Sequence, residues 1–74
     1  MFSNREIGGK DMQKTLKELR EENRYTLRAV AENTGIPYGS YVGYEYGYRK
    51  IPLKQAQKIA QFYGIDTGDI KVLK

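Results

Sequence analysis

Chemistry in this chain must be done with phenols, guanidinium groups and ammoniums. There are seven tyrosines, and thirteen lysines and arginines face nine aspartates and glutamates, for a formal charge of +4. There is no cysteine and no histidine. Disulfides, zinc sites and nucleophilic catalysis by Cys or His are therefore excluded. The chain has no glycine-rich phosphate loop and no separated pair of carboxylates in a predicted pocket. With 74 residues it also has little volume for a substrate. No enzyme, cofactor or metal is expected. The basic excess suits a polyanionic partner, nucleic acid above all, though it also fits an ordinary soluble surface.

The densest chemistry lies at residues 38–50, YGSYVGYEYGYRK, with five tyrosines and three glycines. Such composition usually marks a loop. Turned at about 100° per residue, however, it sorts by face. Tyr41, Tyr44 and Tyr48 make one stripe with Glu45 at its edge. Gly39, Gly43 and Gly47 make another, nearly opposite, and Tyr38, Val42 and Tyr46 lie between them. A disordered tract has no reason to sort itself, so this stretch is predicted to be helical. The Tyr41 and Tyr44 rings are expected in the core with their hydroxyls at its rim. Gly39 and Gly43 each cost a helix interior about 1 kcal/mol relative to alanine. Their stripe is either a face for close approach by another backbone or a DNA groove, or simply a weak, solvated one. Two interior glycines also make fraying of this helix an expectation for the free protein.

The elements that must position this stretch follow from apolar period and caps. Residues 1–10 read as a flexible N-terminal arm, and residues 11–74 as one domain. Met12, Leu16 and Leu19 predict a first helix over 11–22, with Asp11 as its cap. Thr26 caps a second over 27–34, where Leu27, Val30 and Ala31 are apolar and Gly35 is a left-handed stop. Pro37 suits the first turn of the third helix, about 37–46, which Gly47 ends. Pro52 opens a fourth, whose face is Leu53, Ala56, Ile59, Ala60 and Tyr63, and Gly64 stops it. Asp66 caps a fifth short turn through Ile70. The fold class is all-α, a compact bundle of about five short helices with short connections. A domain this small buries only about 60% of its unfolded surface, so tight packing or oligomerisation must support it. No apolar run is long enough to span a membrane and no signal peptide is visible. A cytoplasmic, nucleoid-associated protein is expected.

The second helix, the tight turn at Gly35 and the third helix make a helix-turn-helix. Here LKELREENRYTLRAVAENTGIPYGSYVGYEYGYRKIP resembles the phage repressor and Cro type of helix-turn-helix domain, also called the xenobiotic-response-element family. Leu16, Leu19 and Arg20 match the first helix of that pattern. Val30-Ala31-Glu32 and Gly35-Ile36 match its "LAE…GV" core. Tyr44-Glu45, Gly47, Arg49-Lys50 and Pro52 match its "YE-x-G-x-R-x-P" ending, and the resemblance runs over about residues 12–72.

The resemblance implies a double-stranded DNA-binding regulator. It places Pro37, Tyr38, Gly39, Val42 and Gly43 against base edges in the major groove. It places Thr26, Leu27 and Arg28 at a phosphate near the second helix's N-terminus, and Tyr48, Arg49 and Lys50 on the backbone beyond the third, with Lys54 nearby. It also implies a structural ion pair between Arg20 and Glu45. The departure is on the reading face. Bidentate readout needs Arg, Gln, Asn or Lys, and this face offers a phenol, a valine and two glycines. Direct readout should therefore be sparse, leaning on thymine methyls and DNA shape. Leu27 also replaces the glutamine frequent at its position.

Operators in this family are commonly near-palindromic and read by dimers. A homodimer is expected, formed in solution or only on DNA, with Phe62, Val72 and Leu73 as apolar candidates for its contact. The alternative is a protein-interaction module on the same fold, an antirepressor or regulatory subunit. The glycine stripe would then receive a partner helix and DNA binding would be weak and sequence-blind.

Overall fold

The computed structural model describes residues 13–71. The arm at 1–10, the Asp11 cap, Met12, Val72 and Leu73 lie outside the described residues. Within them are four α-helices: α1 (Leu16–Glu22), α2 (Leu27–Thr34), α3 (Tyr38–Tyr46) and α4 (Leu53–Tyr63). The expected fifth helix is a single 3-10 turn, Thr67–Asp69.

The start of α1 corrects the sequence reading. It begins at Leu16 because Thr15 closes a capping box with Glu18. The Thr15 hydroxyl accepts from the Glu18 N–H at 3.1 Å, and the Glu18 carboxylate accepts from the Thr15 N–H at 2.9 Å. Gln13 and Lys14, described before it, are not helical. The Lys14 N–H donates to Asp69 O at 2.9 Å and Lys14 O accepts from the Lys71 N–H at 2.7 Å, forming an isolated parallel bridge with Ile70. Arg24 then takes a left-handed φ of 59° in the turn to α2.

Thr26 caps α2 as expected, its hydroxyl accepting from the Ala29 N–H at 3.0 Å. Gly35, Gly47 and Gly64 end α2, α3 and α4 at φ of 74°, 84° and 73°, the region where a Cβ is penalised. Pro37 sits one place earlier than expected. It is the N-cap of α3 (φ −54°, ψ 138°), not its first helical residue, and its carbonyl accepts from the Tyr41 N–H at 2.9 Å.

The core is built from Leu16 and Leu19 of α1, Val30 and Ala31 of α2, Ile36 of the turn, Tyr41 and Tyr44 of α3, Ile59 and Ala60 of α4, and Ile70. Leu27, Ile51, Phe62, Tyr63 and Ile65 pack around it. One expected member of an apolar face is absent: Leu53, the first residue of α4, is 67% exposed. Tyr48, which shares a stripe with Tyr41 and Tyr44 by period but was expected on the DNA backbone, is 80% exposed, beyond the end of α3 at Tyr46. Tyr41 corrects another detail. Its ring is buried as expected, but so is its hydroxyl, which has no hydrogen-bond partner. Burial, then the nearby Glu45 carboxylate, push its pKa well above the phenol range.

Glu45 is the buried charge among the described residues, at 3% exposure. The Arg20 fork answers it. Nε donates to the two carboxylate oxygens at 3.2 and 3.0 Å, Nη2 donates to Oε1 at 2.8 Å, and Nη1 donates to the Tyr25 carbonyl at 3.1 Å. These bonds to Glu45 raise the guanidinium pKa further. The pair ties α1 to α3 and fixes the rotation of α3, so that the face opposite Glu45 turns outward.

Candidate nucleic-acid interface

The outward face of α3 is short, aromatic and sparsely functionalised. Pro37 and Gly39 are exposed, Tyr38 and Tyr46 are 42% and 56% exposed, and Val42 is half-buried. A Cβ built on Gly39 would meet nothing within 4 Å, so its bare alpha carbon faces open space.

Gly43 does not share that openness. It is buried, and a Cβ there would lie 3.0 Å from both Cγ and Cδ of Arg49. The glycine stripe expected to be bare is therefore half covered by a side chain from the following loop. Nη1 of Arg49 donates to Ser40 Oγ at 3.2 Å. The main chain follows the same course, because the N–H groups of Tyr48 and Arg49 both donate to Gly43 O, at 2.8 and 3.2 Å. Sequence reasoning missed Ser40. Its only signal was its place about one turn before Gly43 on the same side of the helix.

The start of α2 forms the second part of the surface. Thr26 spends its hydroxyl on Ala29, so the preceding amides, Leu27 and Arg28, stand where a helix leaves donors without intrahelical acceptors. Leu27 packs on the core. Arg28 crosses to α3 and stacks its guanidinium 4.6 Å from the centroid of the Tyr38 ring, a cation–π contact worth about 0.5–1 kcal/mol at an exposed site. It joins the two helices of the motif at their exposed edge. Beyond α3, Tyr48 and Lys50 are exposed, and the Tyr48 ring tilts against Tyr46 at 6.0 Å.

Charge is distributed unevenly along the chain. Between Glu32 and Asp66 the sole carboxylate is Glu45, buried and paired with Arg20. Arg49, Lys50, Lys54 and Lys58 in that stretch are all exposed. The stretch from the end of α2 to the end of α4 thus carries four exposed cations, all after α3, and no exposed acid. No described helix is long and apolar enough to cross a membrane.

Comparison with known proteins agrees with this geometry. A helix-turn-helix family model matches residues 16–70. The cryptic phage CTXphi transcriptional repressor RstR of Vibrio cholerae is 29% identical over 55 residues, which are 74% of this chain and 50% of the relative. The uncharacterized HTH-type transcriptional regulator YobD of Bacillus subtilis (strain 168) is 36% identical over 55 residues, 74% of this chain and 49% of its own. The chain spans about half the length of these relatives. No solved structure matches it. With the matched region running from the first residue of α1 to the bridge residue Ile70, the chain belongs to the repressor and Cro type of helix-turn-helix family.

Proposed function

We propose that this chain is a sequence-specific, double-stranded DNA-binding transcriptional regulator of the repressor type. The observation that carries the reading is the exposed cations that follow an outward helix in a stretch with no exposed acid. Residues 33–65 hold one carboxylate, and it is buried. In this reading α3 enters the major groove with Pro37, Tyr38, Gly39 and Val42 turned to the bases, and Gly43 lies on the same side beneath the Arg49 stem. Gly39 admits the backbone close to base edges, Tyr38 offers one hydroxyl, and Val42 meets a thymine methyl. The Leu27 and Arg28 amides, with Thr26 beside them, hold one phosphate at the α2 N-terminus. Tyr48, Arg49 and Lys50 engage the strand on the other side. Two copies bind a near-palindromic operator as a dimer, half-sites about one helical turn apart.

The test is selection from a random duplex library, followed by titration of the recovered site at several salt concentrations. An enriched motif is expected, bound far more tightly than bulk DNA. Arg49→Ala combined with Lys50→Ala should weaken binding and flatten the salt dependence by about 0.9 in logarithmic slope for each phosphate that is no longer neutralised. Operator affinity equal to wild type in that double variant would remove the loop from the interface. Weak binding with no motif would favour the protein-interaction reading. The cover that Arg49 places over Gly43 counts against that alternative, because only Gly39 remains as a bare seat for a partner helix.

A further inference from the structure

The helix proposed to read bases carries almost nothing to read them with. Tyr38, Gly39, Val42 and Gly43 include no side chain able to make two hydrogen bonds to one base edge. An arginine from outside the helix, however, lies on it. We infer that Arg49, although it belongs to the loop after α3, acts as a base-reading side chain of the recognition helix and selects a guanine in the major groove. This rests on the reading of α3 as the groove-entering helix, and it moves Arg49 from the backbone contacts of that reading to the base contacts.

Arg49 is held there by its stem, its head and its backbone. Its Cγ and Cδ stand 3.0 Å from where a Cβ on residue 43 would be, so its stem fills the space of the missing side chain. Its Nη1 donates to Ser40 Oγ at 3.2 Å. Its backbone N–H donates to Gly43 O at 3.2 Å. Glycine at 43 is what makes this course open, since any larger residue would compete with the arginine stem. The acid that would otherwise attract the guanidinium, Glu45, is already taken by the Arg20 fork. A guanidinium has five N–H donors. One points to Ser40, and those that remain are enough for O6 and N7 of a guanine, the commonest specific arginine contact in the major groove. A loop arginine free to swing would settle on phosphate. One held along the helix has lost that freedom before DNA arrives, which lowers the cost of a defined contact.

The experiment is library selection with wild type, Arg49→Met and Gly43→Ala in parallel, each first checked for folding by circular dichroism. Methionine keeps an unbranched stem but has no N–H donor. Alanine at 43 sets a Cβ 3.0 Å from Cγ and Cδ of Arg49, so the arginine stem must shift while the charge stays. Arg49→Met should recover the wild-type motif except at one guanine of each half-site, where discrimination falls by roughly 5- to 150-fold, the span of one bidentate pairing; Gly43→Ala should weaken discrimination at the same guanine. Replacing that guanine by 7-deazaguanine, which lacks the N7 acceptor, should weaken wild type and leave Arg49→Met unchanged. If wild type selects a motif and Arg49→Met selects the same motif intact, with only a uniform drop in affinity, Arg49 is a phosphate contact and the inference is overturned. If wild type selects no motif, the sequence-specific reading itself fails and takes this inference with it. Should Gly43→Ala not fold, Arg49→Met and the modified operator decide the matter alone.

Discussion

Glu45 occupies the least forgiving place in the molecule, a carboxylate at 3% exposure answered by a single arginine. Removing one member of such a pair leaves the other charged and buried, which costs about 3–5 kcal/mol. A domain of 74 residues has roughly 4–11 kcal/mol of stability in total. Arg20→Met, which leaves the buried Glu45 carboxylate without its partner, is therefore expected to lose a large share of it in urea denaturation. Replacing both partners by Arg20→Met with Glu45→Leu should lose less than Arg20→Met alone. An Arg20→Met variant within about 1 kcal/mol of wild type would show that the carboxylate escapes the penalty by taking up a proton. The partnership was legible in the sequence through the resemblance, because both residues stand in fixed places of the family pattern. The position of Arg49 was not. Helical period tells which residues share a face, and it says nothing of where a flexible side chain from a neighbouring loop comes to rest.

α3 shows which features of an element can be read in advance. Its end at Gly47 was readable, as were the stops at Gly35 and Gly64, because a left-handed residue is a local demand that glycine meets alone. The start of α1 was misread because Met12 and Leu16 share a helical spacing, while the decisive Thr15–Glu18 box is a shorter signal inside it. Leu53 was misplaced for a related reason. Periodicity continues past the point where neighbouring elements stop offering a surface to pack on. The helix itself remains a poor one by composition, and that can be tested. Gly39→Ala places its Cβ in open space and should stabilise the free domain by about 0.5–1 kcal/mol, read as a rise in the urea midpoint. The same variant should bind operator more weakly than wild type, since the methyl keeps the backbone out of the groove. Stabilisation with operator affinity unchanged would place Gly39 off the interface.

At the scale of the whole molecule, the chain assembles a second aromatic concentration between the turn after α1 and the end of α4. The Tyr25 ring lies 5.2 Å from Phe62, and Phe62 lies 4.9 Å from Tyr63. The Tyr63 hydroxyl is buried without a partner, and burial followed by the Glu45 charge pushes its pKa up to about 12. Tyr41 is raised in the same direction. In the unfolded chain both phenols ionise near pH 10, so above that pH the folded state holds protons that the unfolded state has released. Stability should be level with respect to these groups below about pH 10 and then fall by about 1.4 kcal/mol per pH unit for each tyrosine. Thermal unfolding followed from pH 8 to 12, with tyrosinate absorbance recorded alongside, checks this. Tyr63→Phe should make the decline shallower, and an identical decline would exclude Tyr63 as a contributor.

The bridge between Lys14 and Ile70 gives the molecule a further property. Residues 13 and 68 are joined as well, through the Gln13 side-chain amide donating to Gly68 O at 3.0 Å. The two extremes of the described chain thus lie side by side, and the path from one to the other is nearly a closed ring. Which helix is translated first is then almost incidental to the packed result. A circular permutant, with residue 71 led back to residue 13 by a few glycines and the chain reopened at the Asn23–Arg24 turn, keeps every helix and the whole α3 face in place. The order of the sequence, unlike its content, is nearly free.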